Sequence, residues 1–149
     1  MENNKTKEDG GAIICSAFDL CITNGISRCT YHKNLIVDSA IAKQMMEARL
    51  LLSGVATLPA LVDARQGTYV TSSARRFLAD KHSYKQVSAM AILINHHVMK
   101  VLFNTLLRIK MCDTPVKLFT DQEEALAWLE GFKEKKKGRN TRYVPLLMF

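Results

Sequence analysis

The chain is poor in residues that break or staple a fold. Three prolines and seven glycines among 149 residues leave too little punctuation for a low-complexity or collagen-like chain, and 48% apolar residues is ordinary for a single globular domain. The four cysteines, Cys15, Cys21, Cys29 and Cys112, contain no CxxC pair, and no histidine stands at zinc-finger spacing. A metal centre or a disulfide framework therefore has little support, and no metal or cofactor is expected. The thiols are expected to be reduced and mostly buried, and with no local motif setting a histidine beside one, a cysteine nucleophile lacks its base. No apolar run approaches eighteen residues, and Met1 to Asp9 is polar without the long apolar stretch of a secretory signal, so the expected location is the cytoplasm.

Positive charge is in excess, at a formal +7, but it is unevenly placed. Lys133, Lys135, Lys136, Lys137, Arg139 and Arg142 face one acid, Glu134, within ten residues. No aromatic side chains interleave with them, as a single-strand stacking surface would require, so nucleic acid is the less favoured partner and a solvated linker the simpler reading. The closing YVPLLMF, Tyr143 to Phe149, is too short to cross a bilayer and too apolar to stand free in water. It is expected to dock on its own domain or on a second copy in a homodimer, with contact to a membrane surface, helped by the lysines, as the sharper alternative. The chain thus divides into a flexible N-terminus at 1–10, a domain at 11–133, and a basic linker with an apolar segment at 134–149.

Within the domain, Asn24-Gly25 between two apolar runs predicts a hairpin of strands at about Phe18 to Thr23 and Ile26 to Tyr31, because both turn residues tolerate positive φ. A short extended piece is expected at Ile13 to Ser16. Asp38 can cap a helix carrying Ile41, Met45, Ala48 and Leu52 on one stripe, with Gly54 closing it. Three strand–helix cycles are then expected. Ala60 to Asp63 leads to a helix over Thr71 to Ala79 with Phe77 and Leu78 inward. Val87 to Asn95 leads to a helix at about His97 to Arg108, and Val116 to Phe119 leads to a last helix opened by a capping box at Thr120-Asp121-Gln122-Glu123. The fold class is α/β, a mixed sheet with an N-terminal hairpin followed by βα repeats and helices packed on the sheet.

Ligands on such sheets gather beyond the carboxyl ends of the strands. The candidate surface therefore comprises Asp63, Arg65, Asn95, His96 and Thr120, together with the helix start at Thr71, Ser72 and Ser73. Hydroxyls at a helix N-terminus can receive a phosphate, and Arg75 and Arg76 follow at a spacing that could pair it. The plainer reading is that Thr71 or Ser72 caps the helix. Asp63 can orient its loop, and the adjacent His96 and His97 diverge on a helix and cannot chelate one metal. Glu123 and Glu124 compensate a helix dipole, and Trp128 packs its helix.

VDARQGTYV, then TSSARRFLA, then SAMAILIN, then VKLFTDQEEALAWLEGF resembles the STAS domain, and more closely the small bacterial SpoIIAA-like proteins of the anti-sigma factor antagonist type. The resemblance spans about Ala12 to Phe132. It implies a regulatory, non-enzymatic α/β domain that binds a protein partner, an anti-sigma factor or kinase-like regulator, and is switched by phosphorylation of a serine at this helix start. On the family's Asp-Ser-Ser-Gly pattern the matching residues are Thr71, Ser72, Ser73 and Ala74, making Ser73 the implied phosphoacceptor. Thr71 stands where the pattern has an acid, and Ala74 where it has a glycine, whose missing side chain lets a partner backbone approach. Related folds resemble the lipid-transferring Sec14 type, so a lipid or another small apolar ligand is the alternative. Binding of nucleic acid or a membrane surface through the basic tail is a further one.

Overall fold

The computed structural model describes residues 3–5, 11–66, 68–95 and 114–133. The helix expected at 97–108, His96, His97, Cys112 and the tail from 134 onward lie outside the described residues. The chain opens with β1 (Asn3–Lys5), inside the stretch read as a flexible N-terminus, followed by β2 (Ala12–Ile14), β3 (Phe18–Thr23) and β4 (Ile26–Tyr31). These four pair antiparallel in order. The β3–β4 turn is Asn24-Gly25 at φ 55° and 76°, the two positive angles that a two-residue hairpin demands.

A second, smaller sheet was not legible in the sequence. β5 (Leu35–Val37) pairs in parallel with β7 (Thr68–Val70), with Ile36 opposite Tyr69 and Val37 opposite Val70. Each strand runs directly into a helix: β5 into α1 (Ser39–Ser53), β7 into α2 (Ser72–Ala79). Because the pair is parallel, both helices start at the same end of it, and the Thr71 N–H extends the ladder to the Val37 carbonyl at 3.0 Å. Asp38 caps α1 by accepting from the Ile41 N–H at 2.9 Å, and Gly54 ends it at φ 61°.

The main sheet continues with β6 (Leu58–Asp63), β8 (Val87–Leu93) and β9 (Val116–Phe119), all parallel, giving the order β1-β2-β3-β4-β6-β8-β9. The last helix, α3 (Gln122–Glu130), packs on one face of the sheet, where Leu129 and Ala125 are buried against Ile26, Leu61, Ala89, Ala91 and Leu93. Alanines on β8 let this helix approach closely, and Trp128 wedges its edge, 4.9 Å from the Phe132 ring and 5.6 Å from Phe119. On the other face α1 and α2 bring Ala42, Ala74, Met45, Phe77 and Leu78 over the sheet. A 3-10 turn (Lys81–Tyr84) leads from α2 into β8. The opening of α3 differs from the expected capping box: the cap is Asp121, whose Oδ2 accepts from the Glu124 N–H at 3.1 Å, and Thr120 is exposed just before it. β9 ends at Phe119, as expected, and Thr120 stands between the strand and the cap.

His32 ties the start of the hairpin to its end. Its Nδ1 donates to the Ser16 carbonyl at 2.9 Å and its Nε2 to Asp19 Oδ1 at 2.8 Å. The Asp19 hydrogen bond, with help from Ser16, raises the imidazole pKa, because only the protonated ring donates from both nitrogens. Stability from this contact is full below the unfolded histidine value and is lost as pH rises through the raised folded value. The stability gap between wild type and His32→Ala, measured by urea denaturation, is therefore expected to be larger at pH 5.5 than at pH 9. A Cβ on Gly25 would meet nothing nearer than the Lys133 side chain at 3.8 Å, so its cost is purely backbone. Gly25→Ala is expected to lower stability by about 1 kcal/mol, read from the urea midpoint at unchanged slope.

Candidate functional site

The strand-end residues come together as a closed network. Asp63 Oδ1 accepts from the Arg65 N–H at 3.1 Å and from its Nε at 2.9 Å, while Oδ2 accepts from a terminal guanidinium nitrogen at 2.7 Å. That nitrogen also reaches Gln122 Oε1 on α3 at 3.2 Å, and Asn95 Nδ2 donates to the Arg65 carbonyl at 2.9 Å. Burial pushes the Asp63 carboxyl upward, but the side-chain and backbone hydrogen bonds and the charge of Arg65, with Arg28 beyond, outweigh it and hold the group below its ordinary value. Asp63 and Arg65 are thus spent on each other, fastening the β6 loop to α3. This is the loop-orienting role weighed for Asp63. Thr120 stays exposed at the same end, while Asn95 is half-buried beside Arg65.

At the start of α2 the hydroxyls have separate tasks. Thr71 is the cap, its Oγ1 accepting from the Ala74 N–H at 3.2 Å. Ser73 is half-buried and its Oγ lies 3.2 Å from Thr71 Oγ1, whereas Ser72 is exposed. Arg75 does not face the serines: a terminal nitrogen donates to the Val70 carbonyl at 2.7 Å, tying the helix back to β7. Arg76 is exposed and makes no such bond among the described contacts.

Beside this helix start the small sheet presents two large apolar side chains to solvent. Ile36 is 57% exposed and Tyr69 56%, and they are register partners. Their neighbours in register, Val37 and Val70, are buried, so the strand pair turns one side to the core and offers the other. Sequence reasoning missed this pair because three-residue strands show no period; the β-branched and aromatic triplets Leu35-Ile36-Val37 and Thr68-Tyr69-Val70 were the available signal.

Sequence reasoning also missed Arg49. It lies four residues after Met45 and seven after Ala42, on the apolar stripe of α1, and is 8% exposed. Its terminal nitrogens donate to the Lys85 carbonyl at 2.7 Å and the Ser83 carbonyl at 3.0 Å. It borders an apolar cavity of about 110 Å³ between α1, α2 and the sheet, lined also by Met45, Met46, Phe77, Met90 and Ile92. Cys29 lines this cavity as well, its Sγ 3.8 Å from Met45 Sδ; burial pushes its thiol up to about 12, which keeps it protonated and unreactive at neutral pH. Among the described residues no three His, Cys, Asp or Glu side chains converge as a metal set, and no helix is long and apolar enough to cross a membrane.

An antiparallel opening hairpin that continues into parallel strands, with helices on both faces, is the SpoIIAA-like α/β architecture that the sequence resemblance implied. The chain is similar in fold to a crystal structure of an uncharacterized protein of the DUF3478 family with a SpoIIAA-like fold from Shewanella loihica PV-4. The TM-score is 0.54 and the identity 18%, over 76% of this chain and 92% of that one. A crystal structure of a protein of unknown function from Arthrobacter sp. FB24 is 30% identical over 74% of this chain and 97% of that one, at a TM-score of 0.30. No curated protein matches the chain. Residues 20–133 match the family described as domain of unknown function DUF7793, and the chain belongs to that family.

The two hydroxyl roles separate in a stability measurement. Thr71→Ala removes the helix cap and is expected to cost about 1 kcal/mol. Ser72→Ala touches an exposed hydroxyl and is expected to stay within about 0.5 kcal/mol of wild type. A loss at Ser72→Ala as large as that at Thr71→Ala in urea denaturation would overturn this division of roles.

Proposed function

We propose that this chain is a non-enzymatic regulatory domain that binds a protein partner through the β5–β7 pair and the start of α2. The observation that carries this reading is the register pair Ile36 and Tyr69, both more than half exposed and placed immediately before two helix starts. Large apolar side chains exposed side by side have a cost in water that a partner relieves, and an aromatic at the centre of such a patch is a favoured anchor. The neighbouring helix N-termini add partial positive charge, which suits an acidic group on the partner or a phosphate on this chain.

Of the two serines, the exposed Ser72 is the better modification site. Ser73, implied by the family pattern, is half-buried and already paired with Thr71. Arg75 is held by the Val70 carbonyl, which leaves Arg76 as the cation for a phosphate here. A phosphate at Ser72 would sit beside the exposed apolar pair and alter partner affinity through its charge.

The reading is tested by placing a photo-crosslinking amino acid at position 69 and, as a control, at Val55, which is 97% exposed at the far end of α1. Position 69 is expected to give a discrete crosslinked protein in the native cell that Ile36→Asp abolishes. Crosslinking at 69 no stronger than at 55, or unaffected by Ile36→Asp, would overturn the assignment.

A further inference from the structure

The cavity under α1 and α2 combines two features that point to one class of ligand. The first is Arg49, a residue of the cavity wall that is only 8% exposed. Two main-chain carbonyls take two of its five donors, and the four ion pairs among the described residues, His32–Asp19, Arg65–Asp63, His82–Asp80 and Lys133–Glu130, do not include it. A cation taken out of water without an anion is costly, since carbonyl dipoles return only part of its hydration. Burial accordingly pushes its pKa down, although a guanidinium stays charged at any physiological pH.

The second feature is the space beside it. Ala42 on α1 and Ala60 and Ala64 from β6 and its end keep the walls apart, whereas larger side chains there would close the gap. Met45, Met46 and Met90 supply a soft lining that follows the shape of whatever enters. An apolar cavity of about 150 Å³ is known to take benzene, so this one, at about 110 Å³, suits something smaller than a ring, an acid of roughly four carbons. It has no room for a full-length lipid chain.

We propose that this cavity binds a small apolar monocarboxylic acid, its hydrocarbon part among the methionines and its carboxylate paired with Arg49. A carboxylate matches the planar fork of the guanidinium and supplies a counter-charge that the ion pairs among the described residues do not give it. The site is separate from the Ile36–Tyr69 surface and stands whether or not that surface binds a partner.

The test is calorimetric and NMR titration of the full chain with butanoate and 2-methylpropanoate, with 1-butanol as the uncharged analogue and palmitate as the long-chain control. Both short acids are expected to bind saturably, at least tenfold more tightly than the alcohol, with shifts confined to amides around Met45, Ala60 and Met90. Palmitate is expected to show no binding at this site. Arg49→Gln is expected to remove the preference for acid over alcohol, and Ala60→Leu, which fills the space, to abolish both. The wild-type comparison alone decides the matter should either variant fold poorly. Absence of saturable binding of both short acids into the millimolar range, equal affinity for acid and alcohol, or tighter binding of palmitate would overturn the proposal.

Discussion

The requirement that the parallel strands β6 and β8 be buried on both faces shapes everything else in this domain. Strands covered on two sides lose their solvent-facing residues, and here that appears as LPALV and VSAMAIL, with Ala89, Ala91 and Leu93 fully buried. The two faces are not covered alike. Against α3 the alanines of β8 meet Leu129 and Ala125, the helix settles closely, and Phe119, Trp128 and Phe132 seal its edge. On the other face the small residues come from both layers at once, Ala42 above and Ala60 and Ala64 below. Close packing cannot be reached by small residues on both sides, and a cavity results.

The small β5–β7 sheet acts as the clamp that sets where that second face begins. By pairing in parallel two strands separated by thirty residues, it places the starts of α1 and α2 beside each other and fixes the height of both helices over the sheet. Arg75 and Thr71 are used in holding α2 to this clamp. The surface left over consists of Ile36, Tyr69, Ser72 and Arg76, and its composition follows from which neighbours the clamp consumed. The strand-end cluster behaves in the same way. Asp63 and Arg65 neutralise one another and Arg65 also bonds to Gln122, so the loop beyond β6 is held against α3 and its charges are already used.

Much of the fold was readable because its signals are local. Asn24-Gly25 dictates its turn by two positive φ angles, Asp38 and Gly54 bound α1, and the apolar run from Val87 announces a strand covered on both sides. The SpoIIAA-like architecture follows from the order of those elements. Local patterns misplaced one cap, at Thr120 where the structure uses Asp121, because a hydroxyl and a carboxylate stand side by side and each is followed three residues later by a glutamate, Glu123 or Glu124. They were silent on the β5–β7 pair, whose three-residue strands have no period and find each other only across the fold. The site residues were legible as types more than as roles: Thr71 was read among possible caps, but whether Arg75 faces a phosphate or a carbonyl depends on the position of Val70.

What the sequence determined by itself was the succession of elements, since turn chemistry, capping and hydrophobic period each act within a few residues. The tertiary structure alone decided that Ile36 and Tyr69 stand together in water, that Asp63 and Arg65 are spent on each other, and that Arg49 borders an apolar cavity and joins none of the ion pairs among the described residues. Those are relations between segments distant in the chain. They depend on which faces meet when the helices settle on the sheet, and no local pattern of residues encodes that.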